Sequence, residues 1–337
     1  MENIVLDAIK GKSVERIPVA PLINVAHASK VYGIKPIEYV LDNKKYANAQ
    51  IYTKEYYGYD WVWAHQPFQG VTNEERENVL FQGDNAILSL EMGTKLKFSP
   101  NNPPQIVETA LSSKNQINEL KLPDPIKEER LEPLRIMLEK EDFVCGNARC
   151  PFTFASSFLY DLESFLIDLK TDEDFVFKLL DLALEYCVEL GKIQIKEGVK
   201  AIFIEDPSAS TSLLSPADYK KFALPYEKRL IKELGQVPII MHICGDITPI
   251  VDDMLTARSD CISVDETVDL ERLHEKTPVW GNVAPDLLVR GTKEEVRKAS
   301  ENVIELKSKV VLSSGCIVPG NAKEENIREM VNASKKM

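Results

Sequence analysis

Eight short apolar runs, most of them followed by a longer segment with helical spacing, constrain this chain more than any other feature. They cover residues 17–22, 60–65, 143–147, 201–206, 237–243, 261–265, 278–282 and 310–314. Unbroken stretches such as Val237-Pro238-Ile239-Ile240-Met241 suit parallel strands buried on both faces. The amphipathic segments 172–198 and 292–309 supply the helices that parallel connections require. Eight strands alternating with helices predict an α/β fold, a closed (β/α)8 barrel. At 337 residues the chain is long for an ordinary domain but normal for one such barrel with insertions. Two places break the rhythm. Residues 73–122 carry strand-like pieces (Val79-Leu80-Phe81, Ile87-Leu88-Ser89-Leu90) and a Pro-rich turn at 101–104, and predict a lid-like insertion between strands two and three. Residues 36–58 predict one long, tyrosine-rich helix.

In a barrel of this kind the chemistry gathers at the C-terminal ends of the strands. Here those ends carry Asn24 and His27, His65, Asn147 with Arg149 and Cys150, Glu205-Asp206, His242-Ile243-Cys244, Asp265-Glu266, Asn282, and Gly315-Cys316. The strand interiors are almost wholly apolar. That asymmetry points to an enzyme.

His242 and Cys244 are two residues apart, so an extended strand points both to the same side. Strands five and eight are not neighbours, but their loops converge over the barrel mouth, where Cys316 can join. One imidazole and two thiolates are a zinc-type set, and three protein ligands leave a fourth position open, as catalytic sites do. The competing reading makes His242 a core histidine and both cysteines small buried hydrophobes. Glu266 or Asp265 is a candidate fourth ligand or a partner orienting His242, and Asp265 is equally a candidate helix N-cap. Asn147, Arg149, Glu205, Asp206 and Asn282 are candidate substrate contacts. For Arg149 the alternatives are an anion clamp and a surface ion pair; for Asp206 the alternative is a turn shaped with Pro207. His27 and His65 read as structural, and Cys150 as a spare ligand. Cys145, Cys187 and Cys261 read as packing residues.

The segments 237–245, 263–270, 280–288 and 311–331 resemble the uroporphyrinogen decarboxylase superfamily. The likeness is closest at Gly281-Asn282-Val283-x-Pro285 and at Ser314-Gly315-Cys316-x-x-Pro319-x-Asn321 with Glu325-Asn326-Ile327; Arg16-Ile17-Pro18-Val19 also fits, and the rest of the chain follows more weakly. The decarboxylase branch carries arginines after its first strand and an aspartate near the end of its second. This chain reads Ala20-Pro21-Leu22-Ile23-Asn24-Val25-Ala26-His27 and Trp63-Ala64-His65-Gln66 at those places. The His-x-Cys…Cys set instead resembles the corrinoid-dependent methyltransferase branch, such as methylcobamide:coenzyme M methyltransferases. The resemblance implies that His242, Cys244 and Cys316 bind zinc and that the zinc binds an acceptor thiol. It also implies that the methyl group comes from methylcobalamin carried by a transient corrinoid-protein partner. Tetrahydrofolate as acceptor, a decarboxylase, and a non-catalytic corrinoid-protein binding module are the alternatives.

Other function classes are disfavoured. A net charge of −12 without a basic stripe argues against nucleic acid. No run of eighteen apolar residues marks a membrane span. Residues 1–7 lack the basic start of a signal peptide, and six scattered cysteines suggest reduced thiols, so the expectation is a cytoplasmic monomer or homodimer.

Overall fold

The computed structural model describes residues 3–65, 70–83, 85–99 and 102–335. Two sheets organise them. Strands β1 (Val62–Trp63), β6 (Val144–Arg149), β7 (Ala201–Glu205), β8 (Ile239–His242), β9 (Cys261–Ser263), β10 (Val279–Val283) and β11 (Val310–Ser314) form one parallel sheet in that order. Between β1 and β6, strands β2 (Val79–Gln82), β3 (Asn85–Ser89), β4 (Lys95–Ser99) and β5 (Asn102–Glu108) form an antiparallel sheet.

The parallel sheet is curled, and its aromatic core shows why. Trp61 and Trp63 lie two residues apart and so face the same way, against Phe203 of β7 and Trp280 of β10. The centroids are 4.7 Å apart for Trp61–Trp280 and 5.0 Å for Trp63–Phe203. These strands are not neighbours, so the sheet must wrap around the rings. The interior is thus a packed core rather than a channel. The Trp61 and Trp280 N–H groups donate to Pro21 O and Ala20 O, both at 3.1 Å.

The first expected strand, at 17–22, is not a regular strand here. It makes one parallel bridge, Val19 to Leu312. Pro18 and Pro21 have no N–H to donate, so a continuous ladder cannot form. The segment still bonds to both margins of the curled sheet. On the β11 side Leu312 N donates to Pro18 O (2.9 Å) and Ala20 N to Leu312 O (2.8 Å); on the β1 side Asp60 N donates to Val19 O (2.8 Å).

Helices cover the outside. The longest, Glu173–Glu197, starts where the Asp172 side chain accepts from Phe175 N and stops at Gly198, whose φ of +117° suits glycine. It buries Leu179, Leu180 and Leu190, each worth about 1.5–3 kcal/mol. The helix expected over 292–309 is shorter, Lys293–Ile304. The single helix expected over 36–58 is two, Pro36–Leu41 and Asn43–Tyr57. The break is at Asp42, whose carboxylate accepts from Lys44 N and Lys45 N and so starts a new helix.

In the antiparallel sheet Ala86, Leu88, Leu96 and Phe98 are buried, alternating with more exposed neighbours. Pro103 and Pro104, expected in a turn, lie in β5 at the sheet's edge, where a missing N–H is tolerated. Asn101 of that expected turn is outside the described residues. No helix among the described residues is long and apolar enough to cross a membrane.

Candidate metal centre

The donor atoms of His242, Cys244 and Cys316 all lie within 4.8 Å of one another. His242 Nε2 is 3.3 Å from Cys244 Sγ, and the two sulfurs are 3.6 Å apart. Donor pairs on a tetrahedral zinc with ordinary Zn–N and Zn–S bonds stand about 3.5–3.8 Å apart, so the set is sized for such an ion.

Each donor is held from behind. β8 ends at His242, and its register places Ser263 of β9 opposite. His242 Nδ1 is 3.1 Å from Ser263 Oγ and 3.3 Å from Ser263 O, which leaves Nε2 facing the sulfurs. The Cys244 carbonyl accepts from Ser210 Oγ (2.8 Å), and Gly245 N donates to Asp265 Oδ2 (2.9 Å) at a φ of +78°. Cys316 follows Gly315, where a Cβ would meet Glu266 N at 2.9 Å and Asp265 Cα at 3.1 Å. Only glycine lets this turn approach the end of β9 so closely.

The thiols polarise one another. The hydrogen bond from Cys244 outweighs burial and, with His242, pulls the Cys316 thiol down to about 5. Cys244, donating that proton and buried, is pushed far above the ordinary thiol range. The pair alone thus holds one thiolate. Losing the second proton calls for another positive charge between the sulfurs, which is what a metal ion supplies.

The other expected site residues separate into three groups. Glu266 stands outside the three-donor cluster; its carboxyl rises to about 7 through its hydrogen bond with Asp265 and partial burial. Asp265 does not cap the following helix, Leu270–His274, which Asp269 caps instead. It pins the Cys244 loop and accepts from Glu266 N at 3.0 Å.

Glu205 gathers the second group. Asn147 Nδ2 donates to its Oε2 at 3.0 Å, His65 Nε2 lies at 3.3 Å and Arg149 Nη1 at 3.7 Å. Burial alone would raise this carboxyl, yet His65 and Arg149 hold it far below the usual carboxylate range. Arg149 is therefore not in a surface ion pair; its guanidinium sits among these groups, 5.1 Å above the Phe158 ring.

The third group turns away into the wall. Asp206 is fully buried and accepts from Thr153 N (2.9 Å) and Thr153 Oγ1 (2.6 Å). Burial raises it to about 6 beside Glu227, whose carboxylate accepts from Tyr219 OH at 2.6 Å. Asn282 Nδ2 donates to Asp265 O and Val268 O, both at 3.2 Å, and so braces the loop after β9. His27 is buried between Pro319 O and Tyr57 OH, and burial lowers it to about 4. Cys150 is buried outside the donor cluster, its thiol pushed up by burial; Cys145, Cys187 and Cys261 are buried too.

One residue on from Cys316, at Ile317, the chain enters the wall of a cavity of about 280 Å³. Its lower wall includes Asn24, His65, Arg149 and Ile317, the residue after Cys316; its upper wall is the buried face of the antiparallel sheet, with Leu88, Leu96 and Phe98. Reasoning from sequence missed Ser263, Ser210 and the buried Arg130–Glu75 pair that closes the cavity's far side. A serine inside an otherwise apolar strand was the one available signal for the first of these.

Comparison with known proteins adds a family. The model of the family described as uroporphyrinogen decarboxylase (URO-D) matches residues 2–337. Methylcobamide:CoM methyltransferase of Methanosarcina acetivorans is 31% identical over 214 residues, 61% of this chain and 62% of that protein. The match therefore spans less than two thirds of that relative. A uroporphyrinogen decarboxylase of Prochlorococcus marinus is 29% identical and aligns with 99% of this chain and 98% of its own. The solved structure of a methyltransferase from Methanosarcina mazei superposes with a TM-score of 0.83 at 22% identity, over 98% of this chain and 97% of that one. That likeness speaks for a shared fold.

Proposed function

The chain belongs to the uroporphyrinogen decarboxylase family, and from that premise we propose that it is a zinc-dependent methyltransferase. It takes the methyl group from a corrinoid carried by a partner protein and gives it to a small thiol, the chemical class to which coenzyme M belongs. The observation that carries the reading is the His242, Cys244 and Cys316 cluster at the C-terminal edge of the parallel sheet. Zinc bound there supplies Lewis acidity that favours the thiolate form of an acceptor thiol near neutral pH.

The chain's own residues do the rest. Ser263 fixes the tautomer and direction of His242. Asp265 and Ser210 fix the Cys244 loop, and Gly315 seats Cys316. The antiparallel sheet serves as a lid that keeps water from the cavity, while the exposed edge of the mouth receives the corrinoid protein transiently. Residues 17–22, bonded to both margins of the sheet, are the eighth stave of a (β/α)8 barrel. The whole chain then reads as one domain with an insertion at about 73–122. Six free cysteines suit a reducing, cytoplasmic setting.

A decarboxylase acting on a polycarboxylate is the weaker reading. Such a substrate needs several unpaired cations. The two arginines that line the cavity, Arg149 and Arg130, already lie beside Glu205 and Glu75. The test is metal content of the protein and of Cys244→Ala and Cys316→Ala, with methylcobalamin demethylation by coenzyme M, homocysteine and tetrahydrofolate. The expected result is about one zinc per chain, lost in both variants together with thiol methylation. Metal-free wild-type protein that still transfers the methyl group would overturn it.

A further inference from the structure

The cavity beside the metal cluster has a definite chemical character. Its upper wall is apolar, built from Leu88, Leu96 and Phe98, with Phe158 opposite. The charges it contains among the described residues are matched in pairs. Arg130 lies 2.8 Å from Glu75, both 1% exposed, and Arg149 lies 3.7 Å from Glu205. Two donors are left over: Arg149 Nε and Arg130 Nε are buried without a hydrogen-bond acceptor. So the wall offers hydrogen bonds to a neutral polar atom but no surplus positive charge for an anion. The cavity reaches toward the metal cluster: Ile317 of its wall is the residue after Cys316, and His65 and Arg149 of the same wall lie against Glu205, which is paired in register with His242.

Resting on the methyl-transfer reading, we propose that the acceptor is an uncharged thiol with an apolar, ring-sized body, rather than a sulfonate- or carboxylate-bearing thiol. At about 280 Å³ the space is just below the usual range of small-molecule sites, roughly 300–1,000 Å³, so it takes a small body. The apolar body lies under the lid sheet, and the sulfur points toward Ile317 and the cluster. A sulfonate placed there meets an Arg149 guanidinium already 3.7 Å from Glu205, and it loses its water without gaining a free cation. In the transfer, the carbon–sulfur bond forms as the carbon–cobalt bond of the methyl donor breaks. The electron pair of the broken bond stays on cobalt, and the thiol proton is released. In the reverse direction the same cavity holds the methyl thioether.

The test separates this inference from the reading beneath it. Calorimetric titration of the purified protein with benzyl methyl sulfide and with 2-(methylthio)ethanesulfonate needs neither corrinoid nor turnover. The expected result is at least about tenfold tighter binding of benzyl methyl sulfide, the scale set by small differences in apolar contact. In Glu205→Gln, which keeps the shape but frees the Arg149 charge, the ratio shifts at least about tenfold toward the sulfonate. Equal or tighter binding of the sulfonate by the wild type, no binding of either compound, or an unmoved ratio in Glu205→Gln each overturns the proposal. A parallel methylcobalamin assay with benzyl mercaptan and coenzyme M judges the reading itself. Transfer that favours coenzyme M leaves the methyltransferase standing and removes the apolar acceptor. Transfer to neither thiol by zinc-loaded protein removes the methyltransferase, while the titration still judges the cavity.

Discussion

The two halves of the strand-end rim are built by different physics. Around β8, β9 and β11 the site is three soft or borderline donors held by backbone turns, with Gly245 at a positive φ and Gly315 where a side chain cannot fit. Around β1, β6 and β7 it is a cavity roofed by an apolar sheet, its charges cancelled in buried pairs. The first half reads as a place for a cation. The second reads as a place for a molecule that brings little charge of its own. A shared rim therefore does not mean a shared stability: the metal half depends on occupancy, the cavity half on ion pairing.

Changes confined to one half break this comparison most sharply. Cys316→Ala leaves His242 and Cys244 with one donor too few. It should lower zinc affinity by more than about a hundredfold, beyond what loss of an outer hydrogen-bond partner does. Metal analysis after dialysis checks this, and the chelated wild type should match the variant. Unfolding of the metal-free forms should barely differ. If it differs by several kcal/mol, Cys316 is chiefly a packing residue.

The complementary change is Arg130→Met. It strands the buried Glu75 in the wall of the cavity, where Arg130 now lies 2.8 Å from it, and leaves Glu91, 3.2 Å from Arg130, with Lys127 alone. Breaking such a buried pair from one side costs about 3–5 kcal/mol, read as a lower urea midpoint. Zinc content should stay at the wild-type level. Coupled loss of metal would mean the halves are one cooperative unit.

The contrast also explains what could be read from the chain. The metal half was legible because two of its donors sit at i and i+2 on one strand end and the third follows a glycine at another. Both are local patterns. Seven of the eight strands were likewise visible as apolar runs. Their ends shifted by a residue or two, as in β8, which spans Ile239–His242 where the run covers 237–243. The first strand failed as a regular ladder because the missing proline N–H groups count at pairing, a step that apolarity does not record. The cavity half was not legible, because it joins residues far apart in the chain, such as Leu96 and Ile317. Asp265 looked like a helix cap because a helix follows, but the cap is four residues on, at Asp269. Ser263 was missed because its partner is set by the β8–β9 register.

Ser263→Ala is the smaller test within the metal half. It removes Oγ from His242 Nδ1 but leaves the Ser263 carbonyl at 3.3 Å. Zinc affinity should fall about tenfold, the low end for outer partners, with no change in thermal stability of the chelated protein. Competition against a chromogenic chelator measures it. An unchanged affinity would assign the orientation of His242 to the carbonyl alone.

The gentlest prediction concerns the wall behind the cavity. Glu227 is fully buried against Asp206, with Tyr219 donating to it, and burial and the Asp206 charge raise its carboxyl well above the ordinary range. The folded state therefore holds a proton that the unfolded chain gives up near pH 4.3. Between those two values the folded protein is the more protonated, so its stability falls as pH rises, by up to about 1.4 kcal/mol per pH unit. Glu227→Gln should flatten that slope above pH 5 and, near neutral pH, offset part of the cost of the substitution. Urea unfolding at pH 5, 6, 7 and 8 reads the difference directly. Since the carboxyls of this pair do not line the cavity, the relative binding of benzyl methyl sulfide and the sulfonate should stay as in the wild type across the same range. A shift in that ratio would place the Asp206–Glu227 pair in the binding site and dissolve the boundary between wall and cavity.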